Sequence, residues 1–340
     1  MQRAVISGER EAGVVDAPDP DPHEDWVKIE VRAAPMCTEH KAFSEGTEQE
    51  YLGHEAAGKV VDAAQPNRFE VGDRVVATPL YPCGECRYCR SGEHLYCENK
   101  LDVAAETGSR EGEATYAQYH LKPDWLLAEI PDDVSYRHGS MACCGLGPTF
   151  GAMERMDVDA YDTVLVSGLG PVGLGGVINA SYRSAEVIGV EPTDYRADLA
   201  RDLGADHVVD PTDDDALEQV MALTDGSGVD AAVDCSGIQA AQEFMIDSVR
   251  RRGQATFVAD GGGVDLDAGG DMVYNGLTIH GQWHYPEQHI PDVFQVIRDV
   301  PEKLDRFITH TYPLEDVQEA FETQETRECG KVILEPWPDE

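Results

Sequence analysis

A chain of 340 residues has room for two domains, each with its own core. It carries 65 acidic against 26 basic residues, a net charge of −39 with only seven lysines. A field of that sign repels phosphate backbones and anionic headgroups, which argues against nucleic-acid and membrane-surface partners. Because the acidic residues are spread along the whole chain, the surplus reads as adaptation to a salt-rich cytoplasm, where the Debye length falls to about 3 Å at 1 M. Met1–Ile6 runs into Gly8, Glu9 and Arg10 before a signal-like apolar stretch can build. The longest apolar region, residues 164–180, is broken by five glycines, Ser167 and Asn179, so no membrane span is expected and the expected compartment is the cytoplasm. Nine cysteines, an odd number with four clustered, point to metal before disulfides.

In chain order, residues 1 to about 145 read as short strands and turns. Trp26–Val31 alternates apolar and polar like a half-buried strand, and Gly58–Val61 and Gly72–Val76 repeat a strand-after-turn grammar. Cys83, Cys86, Cys89 and Cys97 follow on a glycine-punctuated lobe, and four thiolates at that spacing can close a tetrahedron around zinc. Such a closed site is structural, its binding energy serving to fold the lobe; an iron–sulfur cluster is the alternative occupant. Cys37, His54 and Cys144, with Cys143 beside the last, are spread too widely for spacing to join them. If they met, three N/S donors would leave one coordination position open, as catalytic zinc requires. Glu55 directly follows His54 and would stand behind the metal or ligate it transiently.

From about residue 160 strands and helices alternate. Val164–Val166, Val187–Val190, Val208–Val209, Ala231–Val233 and Ala255–Val258 are short buried strands, with helical stretches at 171–183 and 195–203. That alternation predicts a parallel sheet covered on both faces. Gly168-Leu169-Gly170-Pro171-Val172-Gly173 is G-x-G-x-x-G after a strand and opening a helix, the context of a dinucleotide fingerprint. The helix N-terminus then presents unpaired N–H groups to a pyrophosphate. Glu191, at the end of the second strand, can accept both ribose hydroxyls and favours NAD over NADP, although Arg196 nearby could receive a 2′-phosphate. Beyond residue 285 the chain reads as a helix, Tyr312-Pro313-Leu314, a helix at 315–323 and a last strand Lys331–Leu334, expected to return to the first domain.

Together these residues resemble the zinc-containing medium-chain dehydrogenase/reductase family of alcohol, polyol and sugar dehydrogenases, over nearly the whole chain. The marks are Cys37, Gly53–Gly58, Gly72–Val75, the four-cysteine lobe, Gly168–Gly173 and Leu203–Asp206. The resemblance implies an α/β protein: an irregular β-rich, GroES-like catalytic domain (residues 1–150 and 286–340) and a Rossmann doubly wound nucleotide domain (151–285). It implies Cys37, His54 and Cys144 as ligands of a catalytic zinc, a second structural zinc, a nicotinamide pocket at Cys235, Ser236 and Val258, and a homodimer or homotetramer. Family members follow the first cysteine with x-Thr/Ser-Asp. Here Thr38-Glu39-His40 follows Cys37, so the residue expected to relay the substrate proton is Thr38 or Glu39, with His40. The expected reaction is hydride transfer between an alcohol, polyol or sugar CH–OH group and NAD(P), with loops 38–50 and 100–116 choosing the substrate. A zinc-independent enone or quinone reductase would lack both metal sites. A non-catalytic NAD(P)-binding protein would show damaged ligands.

Overall fold

The computed structural model describes residues 1–65 and 68–337. The chain divides into two compact units, Met1–Gly145 with Pro286–Glu340, and Leu146–Tyr285.

The first unit opens with an antiparallel pair, β1 (Gln2–Gly8) and β2 (Glu11–Asp16). Then follow β3 (Trp26–Pro35), β4 (Ala56–Ala63), β5 (Arg74–Ala77), β6 (Tyr119–Pro123) and β7 (Leu127–Glu129). Strand β3 buries Val27, Ile29, Val31 and Ala33 on alternate positions, which is why it can be the spine of the sheet. It pairs antiparallel with both β4 and β6. Helix Glu39–Glu45 lies between β3 and β4 and buries Ala42 and Phe43.

The second unit supplies six strands, β8 (Thr163–Ser167), β9 (Glu186–Val190), β10 (His207–Val209), β11 (Val229–Asp234), β12 (Val249–Phe257) and β13 (Thr278–Gly281). Every pairing in this sheet is parallel, in the order β10-β9-β8-β11-β12-β13. Helices Pro171–Tyr182, Asp194–Leu203, Ala216–Leu223 and Gln239–Ser248 connect the strands. Helices Ala216–Leu223 and Gln239–Ser248 share with the strands a core of Leu165, Ile188, Val209, Val220, Ala232 and Met245. The strand order reverses between β8 and β11. In open parallel sheets, ligands bind outside the carboxyl ends of the strands at such a point.

The tail returns to the first unit as β14 (Ile308–Pro313), helix Val317–Thr326 and β15 (Lys331–Glu335), with β15 antiparallel to β3. Phe43 and Phe321 stack at 4.8 Å, and Val317, Phe321, Val332 and Leu334 join Ile29 and Val60 in one core. Tyr312-Pro313 closes a strand that the sequence does not announce. Residues 308–313 are only partly buried or exposed and carry no clean alternation, and the parallel partner β15 makes them a strand. The same holds for β13, which pairs only with β12 at the edge of its sheet. The last helix begins at Val317, after a 3-10 turn over Leu314–Asp316, two residues later than the pattern suggests.

Candidate active site

The cysteine lobe brings its four sulfurs together. Cys86 Sγ lies 3.5 Å from Cys89 Sγ and 3.9 Å from Cys97 Sγ; Cys83 Sγ lies 3.6 Å from Cys97 Sγ and 3.9 Å from Cys89 Sγ. A tetrahedron with zinc–sulfur bonds of about 2.3 Å has edges of about 3.8 Å, so the donor set fits that ion. Backbone N–H groups of Cys83, Cys86 and Asn99 point at the sulfurs. Those of Cys89 and Glu98 hold the Cys86 thiol down to about 6, while burial and the neighbouring sulfurs push Cys89 up to about 12. Four thiols in mutual contact resist joint ionisation, which is the situation a cation relieves.

A second cluster forms from distant segments of the first unit. Cys37 lies two residues beyond the end of β3, His54 and Glu55 come from the turn before β4, and Cys144 from the turns after the short helix Tyr136–Ser140. Their ligand atoms lie within 4.8 Å of one another. Cys144 Sγ is 3.4 Å from His54 Nε2. Of the adjacent cysteines it is thus Cys144 that reaches the cluster, whereas Cys143 turns its Sγ to Ala77 O. The Cys144 thiol holds Cys37 well below the ordinary thiol range, against the effect of burial. One imidazole nitrogen, two sulfurs and a carboxylate are donors that zinc accepts.

Around this cluster the side chains are fixed by hydrogen bonds. Glu39 Oε1 accepts from His54 Nδ1 at 2.7 Å, and Glu39 Oε2 accepts from the Tyr116 hydroxyl at 2.9 Å. Burial works against the Glu39 charge, but His54 outweighs it and holds the carboxyl at about 2. Burial likewise disfavours a charged His54, yet Cys37 and Glu39 lift it to about 11. Glu55 is fully buried; its Oε2 accepts from Cys144 N at 2.9 Å and its Oε1 from Lys331 Nζ at 3.1 Å. Thr38, the residue before helix Glu39–Glu45, is exposed and its side chain makes no cap hydrogen bond. His40 Nδ1 lies 2.8 Å from Cys37 O and donates to that carbonyl. Tyr116 and Lys331 carry no motif, and nothing in the local sequence marks them as part of the site. The available signal for Lys331 is a lysine at the head of a buried strand in a chain with only seven.

In the second unit Gly168 turns the chain with φ +84° after β8, and helix Pro171–Tyr182 starts from Gly170. A Cβ on Gly173 would sit 2.0 Å from Gly168 O, so only glycine lets the helix close on the strand. Leu169, Pro171 and Val172 complete the turn and first helical residues, with Leu169 fully buried. Glu191 is buried, and its two oxygens accept from Leu169 N at 2.9 Å and Thr193 N at 3.1 Å. It therefore braces the glycine turn itself, a role the sequence does not disclose. Arg196 reaches toward the same turn, its Nη1 being 3.9 Å from where a Cβ on Gly170 would lie. At the neighbouring strand ends Cys235 N donates to Ser167 O and Val258 N to Asp234 O, while Ser236 Oγ donates to Asp234 Oδ1 at 2.6 Å. Asp234, fully buried, is likewise absent from the motifs of the sequence.

No helix among the described residues is long and apolar enough to cross a membrane. Residues 23–132 match the alcohol dehydrogenase GroES-like domain, and residues 171–299 the zinc-binding dehydrogenase domain. The chain is 29% identical to the zinc-type alcohol dehydrogenase-like protein YphC of Escherichia coli (strain K12), covering 100% of this chain and 99% of that protein. It is also 29% identical to an L-threonine 3-dehydrogenase of Pyrococcus horikoshii, over 94% of this chain and 93% of that one. Alcohol dehydrogenase TADH from Thermus sp. ATN1 shares the fold with a TM-score of 0.88 at 22% identity, over 98% of this chain and 99% of its own. With a GroES-like first unit, a Rossmann-like parallel sheet in the second and two clusters of zinc-type donors, the chain belongs to the zinc-type medium-chain dehydrogenase/reductase family.

Proposed function

We propose that this protein is a zinc-dependent dehydrogenase that exchanges a hydride between the CH–OH carbon of an alcohol, polyol or sugar and NAD(P). The observation that carries this reading is the meeting of Cys37, His54 and Cys144 donors at one point in a chain that also carries the glycine turn Gly168–Gly173. These three side chains would hold a catalytic zinc, with Glu55 behind them, and Cys83, Cys86, Cys89 and Cys97 a structural one. When bound, the catalytic zinc supplies a Lewis acid that lowers the pKa of the substrate hydroxyl.

The chain's own groups do the rest. Glu39 accepts from His54 Nδ1 and so leaves Nε2 free to ligate, which is the usual task of a carboxylate behind a metal-binding histidine. Both Glu39 oxygens are engaged, which favours Thr38 and His40 over Glu39 as carriers of the substrate proton to solvent; His40 Nε2 is the accepting atom. Gly168–Gly173 would seat the pyrophosphate on the helix N-terminus. Glu191 beside the turn supports NAD before NADP, its fixed carboxylate repelling a 2′-phosphate. Cys235, Ser236 and Val258, at the ends of β11 and β12, would line the nicotinamide side. Glu45, Glu48 and Glu50 are exposed, which suits neutral, hydroxyl-rich or cationic substrates. The relative named for L-threonine keeps amino alcohols foremost among such substrates. The diffuse negative charge supports a molar-salt working medium.

Metal analysis of the purified protein is expected to return two zincs per chain, and a screen of alcohols, polyols, amino alcohols and aldoses with NAD and NADP to give absorbance at 340 nm. Glu39→Gln is expected to weaken the catalytic zinc by about 10–100-fold while sparing the structural one. Fully metallated protein that reduces neither cofactor with any hydroxylated compound would end the proposal.

A further inference from the structure

Asp234 closes β11 with no exposed surface, and its carboxylate accepts four hydrogen bonds. Its Oδ1 receives Ser236 N at 2.9 Å, Ser236 Oγ at 2.6 Å and Gly237 N at 3.3 Å, and its Oδ2 receives Gln242 Nε2 at 2.8 Å. Gln242, on the first turn of helix Gln239–Ser248 and 3% exposed, reaches further. Its Nε2 also donates to Gly261 O at 3.1 Å, and its Oε1 accepts from Gly263 N at 3.0 Å. The carboxamide thus spends two donations and one acceptance on joining two loops, one after β11 and one after β12. The second loop wraps around it: Gly261 and Gly262 take φ of +129° and +77°, and a Cβ on Gly262 would lie 2.4 Å from Gln242 Oε1. Neither an acid nor an apolar side chain can replace this group. A carboxylate would set a second charge against Asp234, and a hydrocarbon would leave Asp234 Oδ2 and Gly263 N without their partner.

The strand order says which half of a dinucleotide these loops meet. The pyrophosphate turn follows β8, and Glu191, at the end of β9, marks the side of one ribose. The other mononucleotide must lie across the switch point, over the ends of β11 and β12. We infer that Gln242 is a positioning residue for the nicotinamide half of the cofactor, holding loops 235–238 and 259–263 in the shape that receives it. The inference rests on the dinucleotide reading proposed above.

Fluorescence titration of wild type and Gln242→Leu with NADH and with ADP-ribose, which lacks the nicotinamide, separates the two halves. NADH binding is expected to weaken about tenfold, the scale of releasing one residue from a fixed backbone conformation. ADP-ribose binding should stay within about twofold, as its half of the site is untouched. Amide hydrogen exchange is expected to accelerate at residues 259–264 and not at 168–173. Gln242→Met, unbranched and of similar length, repeats the measurement if the leucine variant does not fold. Equal weakening of both ligands, or unchanged NADH binding, overturns the inference. A wild-type protein that binds neither ligand instead removes the dinucleotide reading beneath it.

Discussion

At the scale of single residues, the cluster in the first unit depends on one buried ion pair. Glu55 and Lys331 are both fully buried and lie 3.1 Å apart, and the carboxylate lifts the lysine's pKa above its ordinary value against the effect of burial. Two charges removed from water barely stabilise each other in net terms, but removing one leaves the other uncompensated, at a cost of about 3–5 kcal/mol. Lys331→Met is therefore expected to lower unfolding stability by that amount in urea, and the double variant Glu55→Gln/Lys331→Met to recover part of it. Additive losses would mean that the two groups do not act as a pair. No sequence motif marks Lys331, because its partner is 276 positions away and only the pairing of β15 with β3 closes that distance.

At the scale of elements, β6 carries two buried titratable groups, His120 and Lys122. Lys122 Nζ donates to Thr78 O and Leu80 O and lies 3.4 Å from the Tyr81 ring centroid, which ties β6 to the segment leading into the cysteine lobe. Burial, reinforced by Lys122, pushes His120 down to about 3. Its folded value lies below that of a free imidazole, about 6.5, so the unfolded chain takes up the proton first. The stability associated with neutral His120 is complete above about pH 6.5 and is lost progressively as the pH falls toward 3, to the extent of a few kcal/mol. Urea midpoints of wild type are expected to fall more steeply than those of His120→Gln across that window; parallel curves would refute the assignment. Strands with clear alternation or an unbroken apolar run, such as β3 and β8, are legible in the amino-acid sequence. β13 and β14 are not, since their residues become strand through a parallel neighbour and not through a pattern of their own.

At the scale of the whole molecule, a net charge of −39 makes self-repulsion a term that every fold contact must offset. Raising KCl from about 0.1 M to 2 M shortens the screening length from about 10 Å to below 3 Å. The midpoint of thermal unfolding is expected to rise by at least about 5 °C over that range, which is about 3–4 kcal/mol for a chain this size. A flat or falling midpoint would show that the charge is already balanced locally and would remove the argument for a molar-salt medium.

The residues alone determined the glycine turn at 168–173 and the four-cysteine lobe, because each is complete within a few positions: a glycine spacing that backbone sterics demand, and a cysteine spacing that a tetrahedron demands. The alternation of strand and helix likewise determined the parallel sheet. Tertiary structure alone decided that Cys144 and not Cys143 faces His54, that Glu39 is occupied by His54 and Tyr116, and that Gln242 joins two loops. Each of these depends on where a side chain points after distant segments have packed, and neither composition nor local spacing carries that direction.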